Sequence, residues 1–575
     1  MLRTILTTLM AMFLLFTLSS PGQAATKVQK FEKLSGEILE TLQSFYPVTA
    51  TEMGIHSYDN RLADYSSRSV SAMTKKLDDY EKRLYKLRKA SFSPAQRIDY
   101  KLIKSNVDIV LQNLQQIAWH RKCPQLYIDE AVNGVYFLLL SQHAPLSEKL
   151  HLILTRMRSV PRLFAVATKN IKEPPEIWVE LARESLESGI EFYQQAAREL
   201  ADQFPDRADE IFQVSTLARE AMNDFLVHLT DMQTGPETGF AIGRENLDYK
   251  LKYEYFLPFN SDSLLRIGQG LLQQARSDYD QYEKYVDEYH QNGQDSIFVP
   301  ANFTKQDLLD YYNWETRQLR FFIESHGLLT VPEDIAPVSV IETPSFLHSM
   351  IPGIAYQPAG PFDENQHGYF YVRPIPDDLD ERQLEARYRY ILRRGFKGSI
   401  VHEAFPGHHL QMQIAGNNSS QIRKWQNNIM MIEGWALLCE EMMYHAGLYG
   451  EEDPAQWLAI LGGIRFRAAR IVADVKLHTG EFTYRQCVDW MIDVLEAESE
   501  SEKAYLRKSV RKYTLTPTVW MSYLMGKREI ERLRDAAKSV GGPLFSERVF
   551  YDHLLAEGSI PPALMWEVLN LTPAD

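Results

Sequence analysis

Between Ser399 and Gln411 the chain reads Ser-Ile-Val-His-Glu-Ala-Phe-Pro-Gly-His-His-Leu-Gln, which gathers His402, Glu403, His408 and His409 in a protein with 15 histidines. Neutral imidazoles are metal donors, and a carboxylate next to one can move protons. The nearest pattern with a mechanism is H-E-x-x-H, in which two histidines one helical turn apart hold Zn²⁺ while the glutamate activates a water. Here it is stretched to His402-Glu403-x-x-x-x-His408, with Pro406 and Gly407 inside.

The stretch has a physical reading. In an unbroken helix, positions 402 and 408 point to different faces. Pro406 has no N–H for the carbonyl of residue 402 and clashes with it, so the turn must bulge or break. Gly407 relieves the same spot, because it tolerates backbone angles that other residues avoid. A two-residue bulge returns His408 to the fifth position of the shorter pattern. His409 shares a face with His402 but lies two turns, roughly 10 Å, along the axis. His408 is therefore the expected ligand, with His409 packing nearby or touching substrate.

A third ligand is expected from the helical stretch Met431–Glu441, running antiparallel to the first. Glu433 is the candidate, with Glu440 and Glu441 as alternatives about two turns on. Two imidazoles and one carboxylate suit a single Zn²⁺ and leave a fourth position for water. Glu403 would take that water's proton and pass it to a leaving amine. A developing oxyanion needs a further donor, for which Tyr523 and His478 are candidates. Arg467, Arg470, Asp474 and His478 fall roughly on one helix face. Arg470 and Asp474 are either an exposed i,i+4 ion pair or part of a polar row that orients ligands and grips a substrate carboxylate.

These residues are carried by an overwhelmingly helical chain. Residues 205–230 show Ile211, Val214, Leu217, Ala218, Ala221, Phe225 and Leu229 at helical spacing, and 74–120, 146–165, 178–204, 261–292, 306–327 and 454–478 behave alike. Tyr46–Gly54, followed by His56, Asp59, Arg61 and Leu62, reads as a loop. Residues 331–376 change character: eight prolines fall there, and Val338–Glu342 and Gly368–Val372 have the β-branched and aromatic content of short strands. The expectation is a small sheet inserted at about 331–376. It either covers the core as a hairpin or pairs an edge with an extended peptide, with Tyr371 as the substrate contact.

The chain opens with Arg3, an apolar run from Ile5 to Leu18 and small residues up to Ala24, the pattern of a secretory signal peptide. Cleavage after Ala24 leaves residues 25–575 as one helical domain. The run is too short to favour a bilayer span of about 20 residues, and no cysteine follows it to carry a lipid. The net charge of −14 becomes more negative still once Arg3 is lost. That argues against nucleic acid or an anionic membrane as partner. Three cysteines, Cys123, Cys439 and Cys487, allow at most one disulfide, so the fold must rest on its core.

The segment His402–Gln411, together with Glu433-Gly434-Trp435-Ala436-Leu437, resembles the bacterial domain of unknown function 885 family. Members of that family are often exported or lipoprotein-like, and the resemblance implies a zinc peptidase. Pro47 to Gly54 with Asp59 and Leu62, Gly243-Arg244-Glu245, Arg467 to His478 and Pro517 to Gly526 extend the resemblance over nearly all of residues 25–575. Thr518-Val519-Trp520 departs from the Gly-Gln-Ala-like run expected after Pro517. The resemblance, and a more distant one to helical gluzincin peptidases, implies a mainly α body around a deep cleft. The expected activity is therefore that of an exported, periplasmic or secreted zinc metallopeptidase acting on peptides. The alternatives are a non-catalytic zinc-containing binding protein and a metal-dependent amidase.

Overall fold

In a computed structural model, residues 21–290, 302–344, 354–372, 374–376, 378–394, 397–450 and 454–573 are described. The leader expected over residues 1–24 lies, up to residue 20, outside them. The first helix, α1, covers Pro21–Phe45. Four long helices, α2 (Gln125–Leu140), α3 (Leu146–Asn170), α4 (Glu176–Gln203) and α5 (Ala208–Thr230), then pack on one another. Their shared core includes Tyr127, Ile153, Phe192, Tyr193 and Phe225. The segment expected as a loop at 46–54 is instead helical over Pro47–Glu52, because proline at the first helical position gives up no needed hydrogen bond. The 74–120 stretch divides into Ser67–Leu87 and Pro94–Leu111. Ser93 and Gln96 cap the second piece reciprocally.

Helix α6 (Ser261–His290) precedes α7 (Lys305–Ser325) and the inserted sheet. Strands β1 (Val338–Glu342) and β3 (Gly368–Val372) match the expected segments, and β2 (Ile354–Gln357) is an addition. β3 lies in the middle, parallel to β1 and antiparallel to β2. Alternation along β3 divides its side chains between two cores. Phe370 joins the cluster that holds Ile400, Val401, Phe405 and Trp435, whereas Tyr371 joins the core of α2–α5.

The motif region is built from α8 (Lys397–Glu403), α9 (His408–Gly416), α10 (Ile429–His445), α11 (Pro454–His478) and α12 (Val519–Gly541). α10 is buried on nearly every side, through Met430, Met431, Trp435, Leu437, Leu438 and Cys439, as befits a helix apolar all round. It packs along α12, and α11 packs along α6. At the α10–α12 crossing the backbones touch. A Cβ on Gly434 would stand 2.4 Å from the carbonyl carbon of Gly526, and one on Gly526 would stand 2.0 Å from the Met430 oxygen.

All three cysteines are buried and unbridged. Among the described residues no helix is long and apolar enough to cross a membrane.

Candidate metal centre

The polypeptide leaves the helical ladder between Glu403 and His408 and rejoins it two residues late. Gly407 N–H donates to the Val401 carbonyl at 3.0 Å, and Leu410 N–H to that of Ala404 at 3.2 Å. Each bond spans six residues where an α-helix spans four. Six positions along the sequence therefore act as four in space, and His402 and His408 face each other with ring centroids 4.8 Å apart. The Phe405–Pro406 bond is cis. Gly407 has no substitute here, since a Cβ would fall 1.8 Å from the His402 oxygen. From α10 the fully buried Trp435 donates its indole N–H to the Pro406 carbonyl at 2.8 Å, bracing the detour.

Asn428 caps α10 by accepting the Met431 N–H, and one turn later Glu433 reaches the two imidazoles. Its Oε2 lies 3.5 Å from His402 Nε2 and 3.7 Å from His408 Nε2. One donor atom from each of the three residues falls within 4.8 Å of the others. These separations are long for hydrogen bonds. They match the edges of a tetrahedron with arms of about 2.1 Å, which are about 3.4 Å long. Glu433 Oε2 is buried and has no hydrogen-bond partner, a costly arrangement for a carboxylate unless a cation meets it. The donor set and spacing thus fit a zinc ion.

Glu440, two turns along α10, is not the third ligand but a support. It accepts the Nδ1–H of His402 at 2.8 Å, which fixes the ring and leaves Nε2 toward Glu433. Arg467 of α11 anchors Glu440 in turn at 3.4 Å. Glu441 pairs with Lys527 at 2.9 Å. The sequence did not signal the Glu440–Arg467 pair, whose members sit on different helices. His408 lacks such support, because its Nδ1 is buried without a partner.

The electrostatics follow from burial and this ring of acids. Burial alone would lower the pKa of His402, but the facing carboxylate of Glu433 and the bond to Glu440 raise it to about 10. Burial, reinforced by the charge on His402, pushes His408 down to about 4. Burial and the neighbouring carboxylates Glu433 and Glu440 hold Glu403 up at about 6, against the opposing charge of His402. Burial would raise Glu433, yet the two imidazoles bring it below the ordinary carboxylate range. Tyr523 of α12 lies beside Glu433, and burial with that charge keeps its phenol protonated.

Of the other expected residues, Arg470 lies near this centre and four have other roles. Arg470 sits 5.2 Å from the Tyr523 ring centroid. His409 is fully buried. Its Nε2 donates to the Ala336 carbonyl at 2.7 Å and its Nδ1 accepts from Tyr356 at 2.7 Å, so neither nitrogen is left for substrate. Gly368 permits that contact, because a Cβ there would meet His409 Nδ1 at 2.9 Å. His478 is not an oxyanion donor. It is fully buried, bonds the Tyr513 carbonyl at 3.0 Å, and follows Arg467 by three turns, roughly 16 Å along α11. Asp474 is no part of an exposed ion pair either, since it accepts the N–H groups of Thr518 and Met521 at 3.0 and 3.1 Å and so caps α12. Tyr371 points into the α2–α5 core, away from the motif. Tyr356, which pairs with Phe370 across the sheet, is the strand residue that reaches it.

A second polar cluster joins His56, Asp59 and His143. His56 bonds Asp59 and Asp363, both at 2.9 Å, and stacks on His143 at 3.5 Å. The buried cations Arg156 and Lys149 border it, so it suits a proton better than a metal.

The chain belongs to the family described as bacterial protein of unknown function (DUF885), matched over residues 47–569. No curated protein matches it. Its structure is similar to that of a proposed lipoprotein of unknown function from Shewanella oneidensis, with TM-score 0.73, 21% identity, and 94% of this chain and 99% of that one covered. It is also similar to a proposed lipoprotein from Colwellia psychrerythraea, with TM-score 0.72, 15% identity, and coverage of 95% and 99%. At those identities the fold is what is shared.

Proposed function

We propose that the protein is an exported zinc-dependent hydrolase of peptide bonds, with His402, His408 and Glu433 as the ligands. The observation that carries this reading is the orphaned Glu433 Oε2 at 3.5 and 3.7 Å from two imidazole nitrogens, next to Glu403. A zinc ion bound there would supply a Lewis acid and lower the pKa of a water to about 7. Glu403, adjacent to a ligand and not needed as one, removes the proton of the attacking water and returns it to the leaving amine. Tyr523, kept protonated, offers a hydroxyl beside the reacting carbonyl. Glu440 and Arg467 hold His402 in register. On this reading α8 with its continuation α9, and α10, take the parts of the two metal-bearing helices of a gluzincin-type peptidase. Substrate enters where Glu433, Glu440 and Arg467 remain 13–18% exposed.

A purely structural zinc site would need a fourth protein ligand. His409 and Glu440, the nearest candidates, are committed to other partners, which favours an open position and hence catalysis. Export is supported by the leader-like first residues and by the lipoprotein description of the two similar structures.

Elemental analysis of the purified protein tests the proposal together with hydrolysis of a peptide library. The expectation is one zinc per chain and cleavage abolished by chelation and restored by zinc. A metal-free protein, or one whose peptide hydrolysis survives metal removal, would refute it.

A further inference from the structure

Arg470 is a cation without an anion. It is half-buried on α11, and the rings of Phe466, Trp520, Tyr523 and Tyr513 stand 4.4, 5.0, 5.2 and 5.8 Å from its guanidinium carbon. Its Nε donates to the Tyr513 hydroxyl at 3.0 Å. Among the described residues it has no ion pair, and its terminal nitrogens have no hydrogen bond. Neither terminal nitrogen is sealed from solvent, in contrast to the orphaned Nε of Arg467. Guanidinium faces stacked on aromatic rings leave the N–H edge free, and that edge fits a carboxylate bidentately.

The position is as informative as the vacancy. Tyr523 has Arg470 against its ring and Glu433 beside it. One tyrosine therefore separates the free N–H edge from the candidate metal centre, roughly 10 Å, a span of about three extended residues. The nearer cation, Arg467, is already committed to Glu440 at 3.4 Å. We propose that Arg470 receives a carboxylate of the substrate, held one to three residues from the bond that is cut. This rests on the peptidase reading above and narrows it. The carboxylate belongs either to the peptide's C-terminus, which makes the enzyme a carboxypeptidase, or to an Asp or Glu side chain.

The test uses three versions of one short peptide: the free acid, the C-terminal amide, and the amide with an internal glutamate. Dissociation constants are measured by calorimetry on the Glu403→Gln protein, which holds substrate without cutting it, and kcat and KM on the wild type. The expected result is at least tenfold tighter binding of a carboxylate-bearing peptide than of the plain amide. That preference should vanish in Arg470→Gln and return in part in Arg470→Lys. Preference for the free acid names the terminus as the source; preference for the internal glutamate names the side chain. If Arg470 only steadied Tyr523, its loss would lower kcat for acid and amide alike and leave KM unmoved. That pattern, or equal binding of acid and amide by the protein with Arg470 intact, overturns the proposal. The two readings fail separately: cleavage without carboxylate preference removes this one alone, whereas an Arg470-dependent preference without cleavage removes only the peptidase.

Discussion

At the scale of single residues, the centre depends on dividing labour among three carboxylates that differ only in surroundings. Glu433 faces the two imidazole Nε2 atoms, Glu440 fixes the ring of one of them, and Glu403 stands next to His402 with its pKa held at about 6. Glu403→Gln preserves shape and removes only the base. We expect zinc content and melting temperature to be unchanged and kcat to fall by about 10²–10⁴-fold, measured on any peptide the wild type cleaves. Retained activity would exclude Glu403 as the proton carrier. The cluster of His402, His408 and Glu433 was legible in the sequence because imidazole is scarce and because Pro406-Gly407 announces a break in the helix. His478 and Tyr371 misled for geometric reasons. A helix face shows which residues align, but not that His478 sits roughly 16 Å beyond Arg467. In a strand, one position decides which side a ring takes, and Tyr371 takes the side opposite Phe370.

At the scale of elements, the crossing of α10 and α12 sets where Glu433 and Tyr523 meet. Gly434 follows Glu433 directly, and Gly526 lies three residues past Tyr523, so the closest backbone contact of the two helices adjoins both side chains. Gly526→Ala places a methyl 2.0 Å from the Met430 carbonyl. The helices must part, at a cost of about 1–3 kcal/mol. The expected outcome is a lower melting temperature together with weaker zinc binding in a chelator competition. An alanine that destabilises the protein yet leaves zinc affinity intact would show that the crossing does not govern the centre. The sequence marked Met431–Glu441, inside α10, as helical, and composition identified the strands β1 and β3. It did not disclose the crossing, since two lone glycines in separate helices carry no pairing signal.

At the scale of the whole molecule, the His56 cluster ties the N-terminal region to the chain just before β3. Burial alone would lower the His56 pKa, but its bonds to Asp363 and Asp59 carry it to about 9, above the ordinary 6.5. A histidine with a raised folded-state pKa stabilises fully below about 6.5 and loses that contribution as pH rises through about 9. We therefore expect stability to decline between pH 7 and 10 by about 2 kcal/mol. His56→Gln should flatten that slope in denaturant titrations at several pH values, and an equal slope in the variant would remove His56 as its source. The detour at residues 404–407 has a consequence of another kind. Distance along a polypeptide only stands in for location on its surface, and a loop-out of two residues breaks that correspondence without moving the groups that matter. A scan written for histidines four apart passes over this protein, whereas one that pairs imidazoles in three dimensions finds it at once. Kindred sites with other linear spacings are best sought by shape.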